Sequence, residues 1–212
     1  MDAPLEKSSA GEESVEAAEP AFRGLTAETT AFDVDGVVAD TMRLFIDIAR
    51  DTFAIDHLRY EDITTYHLDQ CLDLDPAVIE AVICQILDGT HAPLLRHIPG
   101  CRRAMKRFGQ TGRPVRFVTA RPNEDVIRTW LETTLPLDPA QIEVTATGSF
   151  EAKADVLQAQ GIRVFVEDRL ETCFLLSREG IAPILFRQPW NRSPHPFREV
   201  SSWEEITSLM AV

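Results

Sequence analysis

Two carboxylates two residues apart, Asp33 and Asp35, close an apolar run and meet a glycine at once in the stretch Phe32-Asp33-Val34-Asp35-Gly36-Val37-Val38-Ala39-Asp40. In extended backbone, residues i and i+2 point the same way, so the two acids would converge if the strand simply continued. Gly36 turns the chain instead, because glycine adopts the left-handed backbone that a tight turn at a strand end requires. One acid can then remain beside a metal ion while the other serves a different task. Hard oxygen ligands in this arrangement suit magnesium and phosphoryl groups.

Three later strand ends offer complementary chemistry. The run Arg116-Phe117-Val118-Thr119-Ala120-Arg121-Pro122 ends on a hydroxyl, and the Thr119 Oγ with the Ala120 amide could grip an anionic oxygen. Arg121 follows directly and can reach a second anionic group or an acid such as Asp125. Lys153 opens a helical stretch, where its ammonium opposes the helix dipole unless an anion lies between them. Val164-Phe165-Val166-Glu167-Asp168-Arg169 drives two adjacent carboxylates onto the end of a very apolar strand, where they repel each other unless a cation joins them.

These residues need a scaffold that gathers strand ends, and the remaining pattern supplies one. Short apolar runs alternate with helix-like stretches, as in a doubly wound, mainly parallel Rossmann-like α/β sheet. Strands are expected at Thr29–Val34, Val115–Thr119, Ile142–Thr145, Val164–Glu167 and Pro183–Phe186, and helices at Cys101–Gly109, Asn123–Thr133, Lys153–Gln160, Leu170–Arg178 and Trp203–Met210. The carboxyl ends of such strands share one edge, where ligands of open α/β sheets bind. Residues 42–97 break the alternation. Asp75-Pro76 caps a helix carried by Val78, Ile79, Val82, Ile83, Ile86 and Leu87 and closed by Gly89, and an earlier helix runs through Leu44, Phe45, Ile48 and Phe53. The expected organisation is an α/β core from 27–41 and 98–212, with 42–97 as a small helical cap over the acidic loop.

Composition narrows the partners. The chain has 212 residues, 44% hydrophobic and 26% charged, with a formal net charge of −13. That charge opposes broad binding to nucleic-acid polymers, while a small phosphorylated substrate remains compatible through a bound metal. No 18-residue apolar run is present, so no membrane span is expected. Cys71, Cys84, Cys101 and Cys173 form no CxxC pair and read as reduced thiols of a cytoplasmic protein. Residues 1–26 read as a mobile acidic tail, without the features of a secretory signal or a transit peptide.

Taken in order, DVDGVVAD (Asp33–Asp40), VTARP (Val118–Pro122), Lys153 and VEDR (Val166–Arg169) resemble the motifs of the haloacid dehalogenase superfamily of phosphohydrolases, from Thr29 to Val212. The second acid, Asp35, matches the phosphatase branch rather than true dehalogenases. The resemblance implies that Asp33 is a nucleophile forming an aspartyl phosphate and that Asp35 is an acid/base. It also implies that Thr119, Ala120 and Lys153 bind phosphate. Magnesium would lie on Asp33, the Asp35 carbonyl and Asp168, with Glu167 acting through water, and Asp40 would brace the loop. Within the superfamily the chain is most similar to the 5′(3′)-deoxyribonucleotidase group, through the first and fourth motifs and the segments Phe186–Asn191 and Val200–Ile206. This implies a nucleoside monophosphate substrate. One departure is Thr41, where the group often carries a base-stacking aromatic, so Phe45, Tyr66 and Arg121 are the specificity candidates, with His67 also within reach. The open alternatives are a phosphatase for a sugar phosphate or another small metabolite, and a nonenzymatic binding protein that keeps the metal site.

Overall fold

The computed structural model describes residues 24–210, so the expected acidic tail lies outside the described residues except at its end. There the expectation is corrected. Leu25 is buried, and its amide donates to the Leu209 carbonyl at 2.7 Å, which pins the entering chain to the last helix.

Six parallel strands form one sheet in the order β3-β2-β1-β4-β5-β6. They are β1 (Thr30–Phe32), β2 (Val115–Thr119), β3 (Ile142–Ala146), β4 (Val164–Glu167), β5 (Ala182–Phe186) and β6 (Arg198–Val200). The chain begins at the centre, steps outward through β2 and β3, then returns to β4 on the other side of β1. The β1–β4 junction is therefore the topological switch point, where such sheets bind ligands. Side chains alternate between two buried layers. Phe32, Phe117 and Val166 enter one layer, while Ala31, Val118 and Phe165 enter the other. Both faces are covered, as an all-parallel sheet requires.

Helices α3 (Cys101–Gly109) and α6 (Leu170–Arg178) have the bounds expected from periodicity, and α4 (Asp125–Thr134), α5 (Lys153–Ala159) and α7 (Trp203–Ser208) differ by one or two residues at their ends. Phe32 anchors one layer against Phe108 of α3 and Trp203 of α7, at ring-centroid distances of 5.1 and 5.4 Å. The sequence reading did not anticipate β6. Its residues are Arg198, Glu199 and Val200, two of them exposed at the sheet edge, so no apolar run announces it.

The insert carries α1 (Thr41–Phe53) and α2 (Pro76–Leu87). Asp40 caps α1, its side chain accepting from the Arg43 amide at 3.3 Å. Asp75 caps α2 from the Ala77 amide at 2.9 Å, with Pro76 at the first helical position. Ile79, Val82 and Ile86 form the buried face of α2. Both ends of the insert are tied to the acidic loop, because the Asp40 amide donates to the Arg96 carbonyl (2.8 Å) and the Ile98 amide to the Val38 carbonyl (2.9 Å).

His97 lies in that tie, 4.4 Å from the Trp130 ring, and burial together with the Arg102 charge lowers its pKa to about 4. An unfolded histidine titrates near 6.5, so between those values only the unfolded chain binds the proton. Stability is therefore expected to fall as pH drops from about 6.5 towards 4. Urea titrations across this window should show a shallower pH slope for His97→Gln than for the parent chain, and equal slopes would contradict the assignment.

Candidate active site

The first strand ends earlier than its apolar run because the chain curls after Phe32. The Asp33 amide still donates to the Val166 carbonyl at 2.9 Å, which fixes Asp33 beside the end of β4. The Val34 carbonyl then accepts from the Val38 and Ala39 amides at 2.9 and 2.8 Å, closing a tight loop. Gly36 makes the loop possible on two counts. Its φ is +75°, and a Cβ there would lie 2.0 Å from Asp168 Oδ2.

Asp33, Glu167 and Asp168 converge at the strand ends, each offering an oxygen within 4.8 Å of the others, and all three are buried. Lys153, the first residue of α5 and 0% exposed, faces this cluster from below. Its Nζ is 2.8 Å from Glu167 Oε2 and 3.0 Å from Asp33 Oδ1. The second contact is an ion pair without hydrogen-bond alignment, and Asp33 Oδ1 has no hydrogen-bond partner among the described residues. Glu167 is fully engaged, since its Oε1 accepts from the Asp168 and Arg169 amides at 3.0 Å each. Asp168 Oδ2 accepts from Trp190 Nε1 at 2.9 Å.

The electrostatics divide these acids. Burial pushes the Asp33 carboxyl well above the usual carboxylate range, and Glu167 and Asp35 reinforce this against the pull of Lys153. Asp168 is raised in the same way, first by burial and then by Glu167 and Asp33. Burial also acts on Glu167, but the Lys153 charge and its hydrogen bonds outweigh it and hold Glu167 low. One ammonium thus faces three carboxylates, and a divalent cation among hard oxygen donors would relieve the excess charge.

Asp35 turns the other way. Arg121 grips it with two hydrogen bonds, Nε to Oδ2 at 3.0 Å and Nη2 to Oδ1 at 2.8 Å, and Thr41 Oγ1 donates to Oδ1 at 2.5 Å. Burial raises its pKa, yet Arg121 and Thr41 prevail and leave it lowered. The acid that Arg121 pairs with is Asp35, not the Asp125 offered as an example. The buried Arg121 side chain is engaged with Asp35 while still lining the cleft. Thr119, buried at the end of β2, brings its Oγ1 within 3.5 Å of Asp35 Oδ2.

Above these groups lies a cleft of about 460 Å³ lined by Asp33, Asp35, Thr119, Ala120, Arg121 and Lys153 on one side and by insert residues on the other. Phe45 of α1 and Tyr66 both line it, along with Met42, His67, Leu68 and Ile83. Tyr66 meets Phe150 edge-on at 5.5 Å, and the Arg169 guanidinium stands over both rings, 4.2 Å from Phe150 and 5.1 Å from Tyr66. A larger cleft of about 570 Å³ between α4 and the end of α2 has only Asp88 and Asp125 as ionisable lining and no acid cluster.

The structure thus brings Asp33, Asp35, Thr119, Ala120, Arg121 and Lys153 to one cleft, with Glu167 and Asp168 behind Asp33. Sequence reasoning did not identify Trp190, Gln188 and Asn191 as site residues. Asn191 Nδ2 donates to the Asp168 carbonyl (2.7 Å), and Gln188 Nε2 donates to the Gly36 carbonyl (2.7 Å). The only signal was the aromatic-Asn pair itself, which says nothing about what it touches. Arg169 and Phe150 were also missed as cleft residues.

Fold and cleft together define a hydrolase of the haloacid dehalogenase type. Solved structures sharing the fold include a haloacid dehalogenase-like hydrolase from Streptococcus pneumoniae (TM-score 0.59, 10% identity, 85% of this chain and 97% of that one). CbbY from Rhodobacter sphaeroides, solved in complex with phosphate, aligns with a TM-score of 0.55 at 16% identity over 85% of this chain and 96% of its own. A HAD-superfamily hydrolase of subfamily IA from Geobacter sulfurreducens gives 0.50 at 15% identity over 87% and 96%. No curated protein matches the sequence. The model of the 5′ nucleotidase, deoxy (Pyrimidine), cytosolic type C protein family matches residues 28–212, and the chain belongs to that family. It is accordingly a hydrolase of the phosphatase class.

Because Lys153 is the only ammonium facing the cluster among the described residues, Lys153→Met should cost about 3–5 kcal/mol, the usual penalty for stranding a buried charge. Chemical denaturation at pH 7 measures this, and an unchanged midpoint would contradict the role of the lysine in holding the acids together.

Proposed function

We propose that this protein is a magnesium-dependent phosphomonoesterase acting through an aspartyl phosphate on Asp33, with nucleoside monophosphates as substrates. The observation that carries this reading is the placement of Asp33 and Lys153 at the floor of the cleft, with Asp168 directly behind and Asp35 held apart on Arg121. The donor set fits magnesium, since it is all oxygen, buried and short of positive charge. Asp33, the Asp35 carbonyl and Asp168 would hold the ion, with Glu167 as anchor of Lys153 and outer support. When bound, magnesium offsets the repulsion between a carboxylate nucleophile and an anionic phosphate.

The residues then act in sequence. Lys153, the Thr119 hydroxyl and the Ala120 amide hold phosphoryl oxygens, where charge must be stabilised throughout the transfer. An Asp33 oxygen forms a bond to phosphorus as the bond to the leaving oxygen breaks, and Asp35 gives that oxygen a proton. Water next attacks phosphorus, Asp35 takes its proton, and Asp33 is released with inorganic phosphate. While it faces Arg121, Asp35 is ionised. An arriving phosphoryl group adds negative charge nearby and competes for Arg121, and both effects raise the proton affinity of Asp35, which takes up a proton from solvent before the leaving oxygen departs.

Residues 42–97 serve as the cap that supplies the far wall. Its apolar and aromatic lining, Phe45, Tyr66 and Leu68 with Phe150 opposite, suits a flat ring on the leaving group. Thr41 spends its hydroxyl on Asp35, so stacking falls to Tyr66 or Phe150. The matched family's description supports the nucleotide reading. Four free cysteines, and the absence among the described residues of any helix long and apolar enough to span a membrane, support a cytoplasmic setting.

Asp33→Asn is expected to abolish turnover of an aryl phosphate while lowering magnesium affinity only in part, and near-native turnover would overturn the nucleophile. Asp35→Asn should slow phosphoryl transfer from a nucleoside monophosphate to Asp33, read as the pre-steady-state burst of released nucleoside, by about 10²–10⁴-fold, the usual worth of general acid–base catalysis, yet slow the p-nitrophenol burst from p-nitrophenyl phosphate much less because that leaving group needs no proton. Equal losses in the two bursts would remove the acid role. In a panel of phosphorylated metabolites the highest kcat/KM should fall on nucleotides. A sugar phosphate at the top would contradict the nucleotide reading and leave the phosphatase intact.

A further inference from the structure

We infer that Trp190 is a positioning residue for the metal site, its indole N–H setting the rotation of the Asp168 carboxylate; this rests on the magnesium reading above. Three contacts of one side chain meet there. Nε1 donates to Asp168 Oδ2 at 2.9 Å. The indole edge lies against Gly36, where an added Cβ would approach Trp190 Cζ2 to 3.2 Å and Asp168 Oδ2 to 2.0 Å. The ring also packs on Tyr60 of the insert, centroids 5.8 Å apart. The same Tyr60 donates through its hydroxyl to Gln188 Oε1 (3.0 Å), and Gln188 Nε2 donates to the Gly36 carbonyl (2.7 Å).

An indole suits this place better than a charged donor. It is neutral, it donates only, and it does not titrate, so it satisfies one lone pair of a buried carboxylate without adding to or cancelling the charge that would attract a cation. An arginine or lysine there would neutralise Asp168, as Lys153 already does for Glu167. The backbone of Asp168 is fixed separately by Asn191 Nδ2 on its carbonyl, while Trp190 Nε1 donates to its side chain. Outer contacts of this kind hold ligands in the orientation a metal requires, and their loss commonly costs about 10–100-fold in metal affinity.

Trp190→Phe removes the N–H donor and keeps an aromatic ring, smaller than the indole, against Gly36 and Tyr60. Isothermal titration with magnesium chloride should give a dissociation constant about 10–100-fold weaker than that of the parent chain, with kcat approached again at saturating magnesium. Trp190→His, which restores a ring N–H, should recover part of the affinity. A parallel measurement needs no variant: in indole 1H–15N spectra of the parent chain, the assigned Trp190 resonance should move on adding magnesium. That of Trp130, bonded to the Leu95 carbonyl away from the acids, should stay. If the parent chain binds magnesium and Trp190→Phe binds it equally well, or the Trp190 resonance does not move, the positioning role is overturned. If the parent chain binds no magnesium, the metal reading itself fails, and the inference with it.

Discussion

A single buried ammonium facing three buried carboxylates is the constraint on which the rest of this site depends. Lys153 is 0% exposed and reaches Glu167 and Asp33 at 2.8 and 3.0 Å, while Asp168 completes an acid cluster with no second lysine or arginine in it among the described residues. Bringing such charges out of water is expensive, and one cation cannot balance three anions. The protein meets this with neutral donors. The Asp168 and Arg169 amides sit on Glu167, and the Trp190 indole sits on Asp168. The charge deficit that remains is what makes the place suitable for a divalent cation and an anionic phosphate.

The second constraint is geometric. Asp33 and Asp35 lie two residues apart, yet one faces Lys153 and the other faces Arg121 and Thr41. Gly36 permits this divergence by turning at φ +75° in a space where Asp168 leaves no room for a Cβ. Opposite environments follow for two chemically identical side chains, one pKa raised by burial and the other lowered by a guanidinium. In the proposed reaction that difference separates nucleophile from acid/base. The insert adds the remaining wall, and its two ends are hydrogen-bonded to the same acidic loop, so cleft and chemistry share one anchoring region.

Much of this was legible in the sequence because strand ends and helix caps are local. The bounds of β2, β4, α3 and α6, the Asp75-Pro76 start of α2 and the alternation of strands with helices all follow from short-range pattern. What escaped depends on partners distant in the chain. Arg121 lies near Asp125 in sequence, but its guanidinium reaches Asp35 across the sheet. Lys153 stands out at a helix start as a cation in need of an anion, but its ion pairs with Asp33 and Glu167 form only once β4 closes beside β1. Trp190, 22 positions after Asp168, announces no function until β5 has carried the chain back to the acidic loop. The edge strand β6 lacks an apolar run altogether, and Leu25, in a polar stretch without periodicity, gives no sign that it packs on α7.

The most direct test of the central chemistry is to trap the phosphoryl group on its carboxylate. Acid quenching during turnover with magnesium, followed by borohydride reduction and peptide mass mapping, reports which carboxylate carried an acyl phosphate. Conversion of Asp33 to homoserine, with Asp35, Glu167 and Asp168 unmodified, is the expected result. Unmodified Asp33 under conditions of steady turnover, or reduction at one of the other three acids, would contradict a mechanism built on Asp33.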